Sequence, residues 1–170
     1  MSGKEKIHII ITGGTIDSQT KGQQRDVLYF HSVIPEYFAG IKTYNNLEFT
    51  EVCMKDSRDI TNIDRQEILK AVEESACNRI IITHGTFTMV DTAKFLNSNL
   101  KRKDVTVILT GSMVPLKFKN SDAPLNLAYA LEQVQNLHRG IYIGMNSRIL
   151  LPNEAIKNMA KERFESINDN

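Results

Sequence analysis

The sequence has little of several features that mark whole classes of protein. Its two cysteines, Cys53 and Cys77, lie far apart and form no Cys-x-x-Cys pair and no Cys/His ligand spacing. That argues against a disulfide scaffold or a zinc site and reads as two buried thiols in a reduced compartment. Charge of one sign is missing too. The 21 Lys and Arg against 20 Asp and Glu leave a net charge of +1, which gives no reason to expect nucleic acid or an acidic membrane surface as a partner. No apolar run approaches the roughly 20 residues of a membrane span. The opening "MSGKEK" is charged and precedes an apolar run too short for a secretory signal. Prolines number only four, and there is no low-complexity stretch or linker. The expectation is one domain over residues 1–170, in the cytoplasm.

Apolar segments recur in alternation with helical patterns. Strand-like runs are "KIHIIIT" (6–12), "LEFTEVC" (47–53), "RIIIT" (79–83), "VTVILT" (105–110) and "GIYIGMN" (140–146). Several are continuously apolar and β-branched, which suits strands covered on both faces. Helical spacing is clear in 64–75, with Ile68, Leu69, Val72 and Ala76, and in 90–100, with Val90, Ala93, Leu96 and Leu100. The segment 121–137 opens on Ser-Asp with Pro124 in its first turn and repeats Leu127, Ala130, Leu131 and Val134. A shorter helix is expected in 33–44. Strand and helix in alternation predict a three-layer, Rossmann-like (flavodoxin-like) α/β fold with a mainly parallel sheet and helices on both faces. Residues 20–31 read as a mobile polar loop, "KRKD" (101–104) as a solvated loop, and 151–170 as weakly helical with a polar tail.

In such sheets ligands bind beyond the carboxyl ends of the strands. Three of those ends carry reactive sets: "TGGT" (12–15), "KDSRDIT" (55–61) and "THGTFT" (83–88). Glycines let a ligand approach the main chain, and the amides that follow face an anion or a developing oxyanion. A threonine hydroxyl is a poor nucleophile without a base; two threonines on neighbouring strand ends suit a division of that work. The plain alternative for "TGGT" is a turn capped by hydroxyls, and a phosphate loop is disfavoured by the lack of G-x-G-x-x-G or Walker spacing. His84 reads as structural. His8, His31 and His138 share no ligand spacing with it, so no metal is expected.

The motifs taken together resemble the bacterial-type L-asparaginases, specifically their N-terminal domain. "TGGTI" (12–16), "DSRDIT" (56–61), "THGTFTM" (83–89), "LTGSMVPL" (109–116) with "SDAPLNLAYA" (121–130), and "RGIYIGMNSRILLPNEAIK" (139–157) follow the family order through nearly the whole chain. The resemblance implies hydrolysis of L-asparagine to aspartate and ammonia through an acyl-threonine, with no cofactor. It implies Thr15 as nucleophile, Thr86 as second threonine and Lys157 as its proton partner. Ser57 would hold the substrate α-carboxylate, with Asp56 and Arg58 beside it. Tyr29 is the tyrosine in the loop where the family places one near the nucleophile. The implied partner is a small amino-acid amide, and the implied assembly is a homo-oligomer, dimer or tetramer. No C-terminal domain is expected; the site would be completed by another copy through the tail or the helix at 121–137.

The sequence departs from the family pattern at Phe87, where the family has an aspartate that pairs with the substrate α-amino group. Phe87 reads here as pocket wall and accepts no hydrogen bond. Arg58 adds a positive charge where a neutral polar residue is usual. Either another acid substitutes, with Asp17, Asp59 and Asp91 as the nearby candidates, or the substrate lacks a free α-ammonium. The third option, asparagine-like binding without turnover, stays open.

Overall fold

Isoleucine builds the centre of the sheet, and its placement shows why the strand runs carry no polar alternation. In the computed structural model, which describes residues 6–20 and 25–169, β1 (Lys6–Gly13) sends Ile7, Ile9 and Ile11 to one face and Ile10 to the other. β3 (Arg79–Thr83) divides Ile80 and Ile82 from Ile81, and β4 (Thr106–Thr110) divides Val107 and Leu109 from Ile108. Both faces are dry because helices cover both. On one face lie α2 (Asn62–Glu74) and α3 (Met89–Asn99), packed through Ile68, Val72, Ala93 and Leu96. On the other lie α1 (Ile34–Ala39) and α4 (Ala123–Asn136), packed through Ile34, Phe38, Leu127 and Val134.

The six-stranded sheet has the order β2-β1-β3-β4-β5-β6, with β2 at Asn46–Lys55, β5 at Gly140–Met145 and β6 at Arg148–Leu150. β1 to β5 pair in parallel; β6 returns antiparallel to β5. The chain leaves β1 toward β2 on one side and continues to β3 on the other, so the strand order reverses at β1. That reversal opens a crevice at the carboxyl ends of β1 and β3, the ligand position of this topology. The expected three-layer α/β fold is therefore observed. No helix among the described residues is long and apolar enough to cross a membrane.

Helix ends follow local chemistry. Thr61 caps α2 by accepting from the Asp64 amide while Asp64 accepts from the Thr61 amide, a reciprocal capping box. The helix expected at 33–44 is confined to six residues. Of the loop at 20–31, residues 21–24 lie outside the described residues. The remainder folds back on β1's turn: Ser18 bridges Leu28, Gln19 N–H donates to the Val27 carbonyl at 2.7 Å, and Tyr29 N–H to the Asp17 carbonyl at 3.1 Å. "KRKD" is more than a solvated loop, since the Arg102 guanidinium donates to the last carbonyls around the end of α2, Val72 and Ser75, at 3.2 and 2.6 Å.

The weak helix expected in 151–170 is corrected. After the β5–β6 turn, where Asn146 and Ser147 both have positive φ (54° and 58°), the chain forms an antiparallel pair, β7 (Ala155–Asn158) and β8 (Arg163–Ser166). Ala, Lys and Glu favour helix, but tertiary context routinely overrides such propensity. Here burial of Phe164 against the α2/α3-side core decides the outcome. The Phe164 amide donates to Asn146 Oδ1 at 3.0 Å, and Asn158 Nδ2 donates across the pair to Glu165 at 2.9 Å. Of the two cysteines, Cys77 is buried and Cys53 only partly.

Candidate active site

Three strand ends meet where the sheet reverses, and they meet backbone to backbone. Gly14, at φ 82°, leaves no room for a side chain: a Cβ there would lie 2.4 Å from the Gly85 backbone. A Cβ on Gly85 would in turn lie 2.6 Å from the Ser57 side chain. The glycines of "TGGT" and "THGT" therefore serve close approach of the β1, β2 and β3 ends to one another. This contact brings together Thr15, Ser57 and Thr86, the residues that follow or fill those turns.

Each threonine hydroxyl has a distinct ionisable partner. Thr15 Oγ1, in a 3-10 turn directly after β1, donates to Asp26 Oδ2 at 3.0 Å. Thr86 is buried and its Oγ1 accepts from Lys157 Nζ at 2.7 Å. β7 delivers that lysine across a sequence separation of 71 residues. Burial lowers the Lys157 pKa from its ordinary value, and the neighbouring Arg58 charge lowers it further, against opposing attraction from Asp26, Glu162 and Asp56. Burial raises the Asp26 pKa, and the Asp56 charge adds to the rise; the Thr15 hydrogen bond and Arg58 oppose it.

Phe87 stands between two cations. Lys157 Nζ sits 3.8 Å from the ring centroid and Arg58 Cζ 4.4 Å from it. The ring face thus supplies the electrostatic support that a carboxylate would otherwise give, at about 0.5–2 kcal/mol for each cation. Arg58 is itself clamped: its Nε and Nη2 donate to the Asp56 carboxylate at 2.5–3.1 Å. Asp56 also accepts from the amides of Arg58 (2.9 Å) and Asp26 (3.1 Å). Burial pushes the Asp56 carboxyl up, but these donors outweigh it and hold the pKa at about 2. The geometry gives Asp56 the work of fixing two loops. Ser57 is buried too; its hydroxyl accepts from the amides of Phe87 and Thr88 at 3.2 and 3.4 Å.

The other sequence candidates are spent elsewhere. Asp17 is fully buried and accepts from Ser32 Oγ and from the Val33 amide at the start of α1. Asp59 pairs with Arg25, and Asp91 is exposed in the first turn of α3. Tyr29 packs against the α1/α4-side core. His84 is wholly buried: Nδ1–H donates to the Gly85 carbonyl at 2.7 Å and Nε2 accepts from Thr92 Oγ1 at 2.9 Å. Burial drives its pKa down to about 4, so it stays neutral and holds the Gly85–Thr86 turn. Asp26 was not among the sequence candidates. Its signal was a single acid in the polar loop after "TGGT", but nothing local says that the loop folds back onto Thr15.

Residues 6–170 match the family model described as Asparaginase, N-terminal. The chain belongs to the asparaginase family. It is 33% identical over 170 residues to L-asparaginase of Thermococcus kodakarensis, covering 96% of this chain and 51% of that protein. It is 29% identical to the probable periplasmic L-asparaginase of Haemophilus influenzae, covering 95% of this chain and 49% of that protein. The solved structure titled as a probable cytoplasmic L-asparaginase from Campylobacter jejuni superposes with a TM-score of 0.83 at 25% identity, over 98% of this chain and 54% of that one. The chain spans about half the length of the curated relatives that it matches.

Proposed function

We propose that this asparaginase-family chain is a cofactor-free amidohydrolase that converts L-asparagine to L-aspartate and ammonia through an acyl-threonine. The observation that carries the reading is the pair of threonine hydroxyls on adjoining strand ends, each bonded to an ionisable group. Thr15, less buried and on the glycine turn, is the nucleophile; its oxygen adds to the amide carbon and ammonia leaves. Thr86 and Lys157 serve the water step. With its pKa depressed, Lys157 in the neutral form takes a proton from water through the Thr86 hydroxyl, and the relay returns a proton to Thr15 as the ester breaks. Ser57 supports the α-carboxylate pocket from beneath, through the amides of residues 87 and 88 that it orders. Asp56 and Arg58 form its wall with Phe87.

A second reading follows from Phe87. Two cations and an aromatic ring line the position where a carboxylate would greet an α-ammonium. This favours an amide whose α-amine is blocked or absent. We further propose a cytoplasmic setting, in keeping with two free thiols, and a homo-oligomer, dimer or tetramer, whose contacts cover the exposed Ile156 and Met159 of the hairpin that carries Lys157 and Ile167 just after it.

Ammonia release from L-asparagine, glutamine and N-acetyl-asparagine by the purified protein tests the reading, beside Thr15→Ala and Thr86→Ala. Asparagine turnover lost by at least 10³-fold in both variants is expected, on the scale of losing a nucleophile or its relay. Turnover of the N-acetyl amide alone would select the second reading. Full activity in Thr15→Ala would end both.

A further inference from the structure

We infer that Asp26 is the general base for Thr15, so that the two threonines use separate proton acceptors for the two halves of the reaction. The assignment rests on the acyl-threonine reading above and adds the residue that reading lacks. A threonine attacks only if its proton has somewhere to go at the moment the C–O bond forms. Lys157 is engaged at Thr86, on the other strand end, where it serves the water step. Asp26 Oδ2 already accepts the Thr15 hydroxyl proton in a bond of 3.0 Å, within the reach a general base needs.

The position of Asp26 is built. Its amide donates to Asp56 Oδ2 at 3.1 Å, and Asp56 is locked by the Arg58 amide and guanidinium. The Ser18–Leu28 bridge and the Gln19–Val27 hydrogen bond close the loop behind it. The carboxyl is half-buried, and burial makes it a better proton acceptor than a solvated aspartate. The competing acids are committed, Asp56 to Arg58, Asp17 to Ser32 and Val33, and Asp59 to Arg25.

In the acylation half, the Thr15 Oγ–H bond breaks toward Asp26 as Oγ bonds the amide carbon and the carbonyl electron pair moves onto oxygen. The pair returns, the C–N bond breaks, and the nitrogen leaves as ammonia with the proton from Asp26. Asp26 is then a carboxylate again, and the ester remains for the Thr86–Lys157 relay to hydrolyse. One enzyme thus needs a depressed lysine and a raised aspartate within one field, and the Asp26 charge offsets part of the lysine's shift.

The test compares wild type with Asp26→Asn, which keeps shape and an acceptor oxygen but not basicity. Acylation is read as the stopped-flow burst of p-nitrophenolate from p-nitrophenyl acetate, with Thr15→Ala as background, and amide turnover as ammonia from L-asparagine. We expect Asp26→Asn to slow the burst by about 10²–10⁴-fold, the usual range for a general base. KM for asparagine should stay within about threefold and the melting temperature within about 2 °C. The acid limb of the wild-type pH profile should vanish; that carboxylate is faced by Asp56 and Arg58 from the end of β2, by Lys157 from β7, and by Thr15 and Ser18 from the turn after β1. Asp26→Glu, which keeps the acid, should retain the limb.

A burst equal to wild type in Asp26→Asn overturns the assignment. So does a raised KM with kcat kept, which would make Asp26 the partner of the substrate ammonium. A wild-type burst no larger than that of Thr15→Ala overturns it as well. A wild type that shows the burst, loses it in Asp26→Asn and leaves asparagine intact would refute the amide substrate while upholding Asp26. If Asp26→Asn does not fold, loss of both burst and limb in folded Asp26→Glu counts against the assignment, and retention counts for it.

Discussion

At the residue scale, buried ionisable groups away from the two threonines set how the protein responds to acid. Asp17 is buried against Ser32 and the Val33 amide, and desolvation lifts its pKa from 3.8 to about 6. A raised folded pKa means the folded state binds the proton more tightly. The stabilising share is therefore present below pH 3.8 and lost as pH rises through 6. Two units correspond to about 3 kcal/mol. His84 acts in the opposite sense, because its pKa is depressed from 6.5 to about 4. Its contribution is whole above pH 6.5 and is lost as pH falls toward 4. Comparing wild type with Asp17→Asn by urea unfolding isolates the first effect. The stability gap should move by about 1.3 kcal/mol in favour of wild type between pH 7 and pH 5. A gap that does not change with pH would show that Asp17 keeps an ordinary carboxylate pKa in the folded state.

At the scale of elements, the site depends on a hairpin that belongs to no helix–strand repeat. β7 carries Lys157, but its anchor is Phe164 on β8, buried beside Met145 and Leu150. Phe164→Ala should cost about 3–5 kcal/mol, the usual price of a buried phenylalanine. It should also loosen Lys157 more than it loosens the Thr15 turn. Thermal unfolding measures the first effect, and asparagine turnover in protein shown to be folded measures the second. A folded Phe164→Ala with unchanged kcat would mean that Lys157 is positioned from Thr86 and Phe87 alone. The glycine contacts at Gly14 and Gly85 make the same point within the main sheet. Both positions require close approach of three strand ends, and Gly14 also takes a positive φ of 82° in its turn.

At the scale of the molecule, the crevice is open toward solvent, with Phe87 42% exposed and Lys157 half-buried. Acyl transfer profits from excluding water, which is the physical reason to expect a second copy over the hairpin. Light scattering at micromolar concentration should give a mass of two or four chains. A monomer with full asparagine turnover would show that the crevice works uncovered.

The sequence by itself determined the strand–helix alternation, because continuous isoleucine and valine runs fit only strands covered on both faces. Thr15, Thr86, Ser57 and Lys157 were marked as candidates through the resemblance of their motifs, in order, to the asparaginase family. Phe87 was legible as a departure but not as a cation platform, because ring–cation distances depend on β7 and the end of β2 arriving together. The hairpin at 155–166 and the placement of Asp26 beside Thr15 were decided only by tertiary structure. Both rest on contacts between segments remote in sequence or on a loop folding back: Phe164 finding the core, and Asp26 finding Thr15. Local propensity carries no information about such partners; burial and hydrogen bonding across the fold do.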